Sequence, residues 1–327
     1  MNNIVIPSLY PRSEELIKKT RDFDRNRITE KELEKYFDKD LSDFLNLQNN
    51  LNFSYYSTGM FKFKDLLRPF TLILKNSLAN TLLRFEETNT FWRKLEISSF
   101  NFNYNNFEIL FNQYFNLNYL LNYLKDLTNV SITLPSFFTF YKYSNLNFEQ
   151  ISLVLIELIK NLKNYLNNFK FNNENIIITL VEYLDFLYLN DYNLFKENYN
   201  QLVKLIDEIN KENFKIFYFT YSNLNKVIND IFSLEVLGIS VNFYRNNLNE
   251  IDFKKLENKK LLAGIISTES SLIENDQKII EFFNKISNYL NINNLILTID
   301  FIPYLLPRNI MDNKLKNIIN IINLVKK

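Results

Sequence analysis

The chain has 327 residues, with 38 lysines and arginines against 37 aspartates and glutamates, and it contains neither histidine nor cysteine. A net charge of +1 gives no electrostatic footprint for nucleic acid or an anionic membrane surface. The missing residue types exclude Ser–His–Asp and Cys–His nucleophile systems, thiol redox chemistry, disulfides and the usual zinc ligands, leaving acid–base work to Asp, Glu, Lys, Tyr and Arg. No apolar run reaches the roughly 18 residues of a spanning helix, so no membrane segment is expected. The start, Met1-Asn2-Asn3-Ile4, lacks the basic and apolar pattern of a signal peptide, and a cytoplasmic location is the default expectation. Asparagine is abundant but interleaved throughout with apolar residues, which reads as codon bias rather than a prion-like tract.

Taken in chain order, short apolar runs alternate with helical patterns. A first strand is expected at 4–9, followed by a helix that opens on a capping box at Thr29 and Glu32 and continues to about Asn46. A second strand is expected at 53–58. A dense polar stretch follows, with Lys62, Asp65, Arg68, Glu86, Glu87, Asn89 and Arg93, and with Phe85, Phe91 and Trp92 as apolar anchors. It reads either as a solvated loop or as an ordered loop closing over a site. An extra apolar piece at 94–97 belongs to this excursion.

Further strands are expected at 131–134, 176–181, 216–221, 239–243, 261–266 and 295–299. The run at 176–181 is apolar on both faces, as a parallel strand covered on both sides must be. Between the strands, Ile151, Val154, Leu155, Leu158 and Leu162 share one helical face, and Ile279, Phe283, Ile286 and Leu290 share another. The only three glycines, Gly59, Gly238 and Gly264, fall at strand or turn positions. Eight strands with helices between them and no linker predict one domain over residues 1–327. Its class is α/β, a (β/α)8 TIM barrel with an extension after the second strand. Where the predicted strands end stand Pro11-Arg12, Gly59, Pro135, Glu182, Tyr221-Ser222-Asn223, Arg245-Asn246 and Asp300, many of them polar. In such a barrel those ends form the site.

Several segments together resemble the cobalamin-independent methionine synthase family. Leu9-Tyr10-Pro11-Arg12-Ser13-Glu14, leading to Arg21-Asp22-Phe23-Asp24-Arg25, looks like the start of its N-terminal domain. The stretches at 62–70 and 84–93 are similar to its following loop. Leu134-Pro135-Ser136-Phe137-Phe138-Thr139-Phe140, Leu262-Ala263-Gly264-Ile265-Ile266 and Leu306-Pro307-Arg308, with Lys314-Leu315 beyond, resemble later elements in order. Full-length members carry two related barrels, of which the second is catalytic. The resemblance therefore implies a stand-alone barrel of the N-terminal type.

The departures from the family are informative. Its catalytic barrels hold zinc, which keeps homocysteine sulfur as a thiolate, through a His-x-Cys pair, a glutamate and a second cysteine. The resemblance places Tyr218 and Thr220, Asn242 and Phe301 at those positions, and none replaces a thiolate or imidazole. Of the basic residues that hold a folate tail, Arg84 falls at one position, with Lys18 and Lys19 near the others, where Glu14 and Ile17 now stand. This implies that the chain itself binds no cofactor, and that zinc and a folate or pterin methyl donor are met only through a partner, a separate zinc-bearing catalytic barrel.

Glu182 stands alone where the family has Asp-Glu-Pro. It is read either as a ligand contact or as the partner of Arg12 or Arg84. Arg12, Lys18, Arg68, Arg84, Asn89, Arg93, Glu182 and Asp300 are the candidate ligand-binding residues, with the arginines suited to a carboxylate or phosphate. The expected function is that of a non-zinc accessory barrel in methyl transfer to homocysteine. Two alternatives stay open. One is a metal-independent enzyme on a small acidic substrate, as in the related uroporphyrinogen decarboxylase superfamily. The other is a degenerate barrel that only binds a ligand or partner.

Overall fold

The structure is a computed structural model that describes residues 3–7, 9–86, 88–124, 129–169, 171, 173–256 and 258–325. Two helices, α1 (Glu14–Asp24) and α2 (Glu30–Asn50), come first. Ser13 Oγ caps α1 by accepting from Leu16 N at 3.0 Å. The predicted capping box opens α2, with Thr29 N donating to Glu32 at 2.8 Å and Glu32 N donating back at 3.2 Å. The helix runs a full turn beyond the expected end, with Gln48 buried in that last turn.

Strand β1 (Tyr55–Tyr56) is followed by an antiparallel hairpin of β2 (Ser77–Arg84) and β3 (Phe91–Ile97). This hairpin is the extension after the second strand, and the apolar piece at 94–97 is part of β3. After it come the short helices α3 (Phe107–Ile109) and α4 (Leu117–Tyr123), then β4 (Asn129–Pro135), α5 (Phe137–Lys142) and α6 (Phe148–Asn168). The chain continues with β5 (Ile176–Glu182), α7 (Leu189–Lys211), β6 (Lys215–Thr220), α8 (Ile228–Ser233) and β7 (Gly238–Asn242). It ends with β8 (Lys260–Ile266), α9 (Asp276–Ile286), β9 (Leu295–Ile299) and α10 (Arg308–Val325). Among the described residues no helix is long and apolar enough to cross a membrane.

The main sheet has seven parallel strands in the order β1-β4-β5-β6-β7-β8-β9. The eighth strand expected at 4–9 does not form as a strand. Ile4 makes one parallel bridge to Leu297, with Val5 N donating to Leu297 O at 3.1 Å and Leu297 N to Asn3 O at 2.7 Å. Pro7 follows at once, and its missing N–H cannot extend a ladder. On its other side the same segment meets the β1 edge, where Ser57 Oγ donates to Ile6 O at 3.3 Å and Tyr10 N to Gly59 O at 2.9 Å. The sheet is thus curled, with the N-terminal segment lying between its two edge strands.

Apolar packing works on both sides of this sheet. Every residue of β5 is buried, as the unbroken apolar run required. Outside, α6 packs Ile151, Val154, Leu155, Leu158 and Leu162 into the main core, and α9 packs Ile279, Phe283 and Ile286. Inside the curl a smaller cluster joins Val5, Tyr55, Ile177, Phe217, Leu262 and Ile296, one residue from each of six places around the sheet. Tyr55 and Phe217 meet edge to face at 5.3 Å across it.

Two glycines have physical reasons. Gly59 has φ +71°, the left-handed conformation that lets the chain turn after β1. At Gly264 a Cβ would stand 3.1 Å from Ile299 O and 3.2 Å from Asn242 Cα, a crowded fit that would push β7 and β9 back from β8 by a few tenths of an ångström.

Candidate functional site

The carboxyl ends of the strands bring polar residues to one face of the curled sheet. β4 ends at Pro135, and Ser136 N donates to Val181 O at 2.9 Å, which fixes the start of α5 beside the end of β5. The last residue of β5, Glu182, is completely buried. Its carboxylate accepts from Ser136 Oγ, from Thr139 Oγ1 at 3.0 Å, from Leu184 N at 3.0 Å and from Tyr218 OH at 3.4 Å. Burial pushes this carboxyl up to about 7, while its hydrogen bonds and Lys142 hold it from rising further.

Asp300, just beyond β9, accepts from Thr268 N at 2.7 Å and Thr268 Oγ1 at 2.9 Å, and its Oδ2 has no hydrogen-bond partner. Burial raises it to about 6. Asn242, at the end of β7, ties three strand ends together. It donates to Tyr221 O at 3.0 Å and to Asp300 O at 3.2 Å, and accepts from Tyr244 N at 2.9 Å.

Over these ends lies a plug of packed aromatic rings. Phe85 and Trp92, from the two strands' facing ends of the hairpin, stack at 4.1 Å and are completely buried. Phe85 meets Tyr183 at 5.0 Å and Phe301 at 5.7 Å, Trp92 meets Tyr143 at 4.9 Å, and Tyr221 meets Phe301 at 4.5 Å. Polar contacts secure the hairpin. Tyr143 OH donates to Glu86 at 2.8 Å, Lys142 lies 3.0 Å from Glu86 and 3.4 Å from Asp191, and Trp92 Nε1 donates to Tyr304 OH at 3.0 Å. The polar stretch predicted from the sequence is therefore an ordered cover, although Glu87 lies outside the described residues.

The expected arginine partner of Glu182 is absent. Arg12 donates to Phe61 O at 2.8 Å and Phe63 O at 3.1 Å instead, because the tight loop after Gly59 turns those carbonyls toward it. Arg84 is exposed and donates to Thr88 O at 2.8 Å within its own hairpin. Serine, threonine and tyrosine hydroxyls surround Glu182 in their place.

The arginines do not converge on one ligand site. Arg68 makes a fork on buried Asp65 at 2.7 and 3.1 Å, and Arg93 donates to Asn80 O at 2.7 Å on the hairpin. Asn89 is exposed beyond Arg84, and Lys18 is exposed on α1. Arg12 borders a cavity of about 240 Å³ with Tyr10, Phe61, Phe63, Lys64 and Tyr304. Reasoning from sequence missed Ser136 and Thr139, the hydroxyls that hold Glu182. It also missed Arg308, whose guanidinium lies 5.1 Å over Tyr10 and 5.3 Å over Phe61 and 3.6 Å from Asp40.

The four positions that the resemblance assigns to zinc ligands hold other groups. Tyr218 donates to Glu182, Thr220 Oγ1 accepts from Ser222 N at 3.4 Å, Asn242 spends its amide on backbone carbonyls, and Phe301 packs in the aromatic plug. A phenyl ring, two hydroxyls and an amide do not suit a tetrahedral zinc site. Among the described residues no three acidic side chains come together as a metal site either.

No family model matches the chain. Over 108 residues it is 31% identical to a methionine synthase of Pyrococcus horikoshii, a match that spans 33% of this chain and 32% of that protein. Among solved structures, it superimposes with TM-score 0.70 and 13% identity on a putative vitamin-B12 independent methionine synthase from Listeria monocytogenes. That superposition covers 99% of this chain and 97% of the other. A B12-independent methionine synthase from Shewanella sp. W3-18-1, solved with selenomethionine, gives TM-score 0.66 at 13% identity over 92% and 90% of the two chains. The chain is thus similar in fold to cobalamin-independent methionine synthases over nearly its whole length, and in sequence to a methionine synthase over a third of it.

Proposed function

We propose that this chain is a methionine-synthase-like barrel that works in methyl transfer to homocysteine in the cytoplasm, beside a separate zinc-bearing barrel that activates the sulfur. The likeness to B12-independent methionine synthases supports the reaction class. We read the curled sheet as the barrel of that fold, with the segment at Ile4 in the eighth place. Val5 joining the inner cluster favours this.

The accessory role rests on one observation. The positions that would bind zinc are built into a closed, hydrogen-bonded and aromatic seal, with Phe301 against Tyr221 and Tyr218 on Glu182. Such a surface positions strand ends and excludes water, and it offers no donor to hold a thiolate. The pterin or other methyl donor then belongs to the partner's site, and the Arg12 cavity is the place where this chain could touch an acidic portion of it. A metal-independent reaction on an acidic substrate has less support, because Arg84 and Arg93 are spent on the exposed hairpin, away from Glu182.

The test is methyl transfer to homocysteine by this chain alone and mixed with the His- and Cys-bearing barrel of the same cell. The expected result is no turnover alone and a rate in the mixture above that of the catalytic barrel by itself. Turnover by the isolated chain would overturn the accessory role, and no effect in the mixture would reduce the likeness to shared fold.

A further inference from the structure

A second concavity, of about 540 Å³, is bounded by α2, the loop after Gly59 and the segment that runs from the π-helical turn at Leu110–Tyr114 through α4. That volume is of the size that small-molecule sites have, about 300–1,000 Å³. Its wall is built of five side-chain amides between Asn112 and Asn122 and of Tyr119 and Tyr123, together with Asp38 and Lys62. The wall is braced from behind. Asn112 accepts from Tyr165 OH of α6, and Tyr123 OH donates to Asn46 Oδ1 of α2 at 3.0 Å.

Asparagine is common throughout the chain, but its amides elsewhere often turn back on the protein. Asn147 and Asn275 cap helices, and Asn242 and Asn246 donate to backbone carbonyls. The groove differs. Among the described residues, Gln113, Asn116 and Tyr119 make no side-chain hydrogen bond. Asn116 is only 8% exposed and stands in the wall, so its unspent amide opens on the groove. A nearly buried amide without a protein partner is costly unless a molecule in the groove bonds it. Beside it, Asn122 Nδ2 donates to Asn118 Oδ1 at 2.7 Å, which leaves the Asn122 carbonyl and the Asn118 amino group unspent.

We propose that this groove binds an uncharged sugar, a mono- or disaccharide. A sugar hydroxyl both donates and accepts, and an amide side chain answers it with a carbonyl acceptor and an NH2 donor. Asp38, exposed in the wall, adds an acceptor for neighbouring hydroxyls. Tyr119 is 40% exposed, and its ring offers a flat apolar surface for the C–H face of a pyranose. An anion is disfavoured. Lys62 is the cation of the wall, and it is already held by Glu34. A peptide is disfavoured as well, because helices and a loop form the wall and give an extended backbone no strand edge to join. The groove shares no lining residue with the Arg12 cavity and none with the aromatic plug, so the proposal does not rest on the methyl-transfer reading.

Saturation-transfer difference NMR on the full chain tests this, with cellobiose, maltose and chitobiose at millimolar concentration and trialanine as the peptide probe. One or more of the disaccharides should receive saturation, most strongly at ring C–H protons, and trialanine should receive none. Asn116 has φ +49°, so Asn116→Gly removes the amide while keeping a backbone that glycine adopts freely. It should weaken the binding by about tenfold, the worth of one hydrogen bond. Tyr119→Ala should abolish the transfer to the ring protons, whereas Tyr289→Ala, exposed elsewhere, should change nothing. Circular dichroism checks that each variant folds. Absence of binding by all three disaccharides overturns the proposal. So does sugar binding that Asn116→Gly and Tyr119→Ala leave unchanged, or binding of trialanine that both variants remove.

Discussion

Phe85 and Trp92 stack with their ring centroids 4.1 Å apart, and the pair fills the space over the carboxyl ends of the sheet where a barrel enzyme would keep its substrate. Both rings reach inward from a hairpin whose adjacent residues, Arg84 and Arg93, point outward. The same alternation that brings the plug in carries the two arginines out.

Trp92 is the ring with most to lose. It stacks on Phe85, packs on Tyr143 and Tyr183, and donates to Tyr304. Replacing it with alanine leaves a large void and removes the hydrogen bond to Tyr304, and should cost about 3–5 kcal/mol of stability. Trp92→Phe keeps most of the packing and should cost less than half of that. Urea unfolding followed by circular dichroism checks both. Equal losses for the two variants would mean that the hydrogen bond to Tyr304, and not the volume, is what matters.

How far the sequence discloses this arrangement differs between its parts. Runs apolar on both faces mark β5, β6, β8 and β9 clearly, because a buried parallel strand has no polar face to confuse the pattern. The segment at 4–9 has the same composition, but Pro7 stops its ladder after one bridge. Glu182 is visible as a carboxylate directly after a strand. Its partners are not, since Ser136 and Thr139 come from the turn after β4 and reach it only through the β4–β5 register. The outward course of Arg84 and Arg93 is legible in the sequence. Each is next to a large aromatic residue in a strand pattern, and two neighbours on a strand cannot both face inward.

The two buried carboxyls make stability depend on pH in a definite direction. Glu182 is raised to about 7 and Asp300 to about 6, whereas both titrate near 4 in an unfolded chain. Between roughly pH 4 and 7 the folded state then holds more protons than the unfolded one, so these groups make stability fall as pH rises through that window. Each contributes on the order of 1–3 kcal/mol across it. Glu182→Gln should flatten the fall. The glutamine oxygen can still accept from Leu184 N, and its amide can donate to the Ser136 or Tyr218 oxygen. Urea midpoints for both proteins at pH 5, 6, 7 and 8 decide the matter, and parallel curves would show that Glu182 does not titrate there.

Asp65 is a hub for the cover rather than a member of a solvated ion pair. It is completely buried and accepts from Leu67 N at 3.2 Å, Arg68 N at 2.7 Å, Arg93 N at 3.3 Å and the Arg68 guanidinium. Asp65→Ala leaves several donors without an acceptor and should cost about 3–5 kcal/mol. Arg68→Ala removes a partly exposed side chain from the same pair and should cost about 1–2 kcal/mol, since the backbone donors remain to satisfy the carboxylate. The asymmetry is the prediction. Equal losses in denaturant unfolding would mean that the ion pair itself, not the backbone anchoring, holds the loop to the hairpin.

Lys314 and Glu274 form a buried pair, 2.8 Å apart, between α10 and the loop that follows β8. Lys314 also donates to Leu272 O, and Ser267 N donates to the Glu274 oxygen that faces the lysine, while the other carboxylate oxygen has no partner. An ion pair this deep recovers its desolvation cost only while both charges are present. Lys314→Met should therefore cost about 3–5 kcal/mol, because it strands a carboxylate in an apolar site. Adding Glu274→Gln to that variant removes the stranded charge and leaves an amide oxygen for Ser267 N, so the double variant should be more stable than Lys314→Met alone. A double-mutant cycle by urea unfolding measures the coupling. If the second substitution brings further loss instead of recovery, the carboxylate is satisfied from another source, and the lysine acts by packing alone.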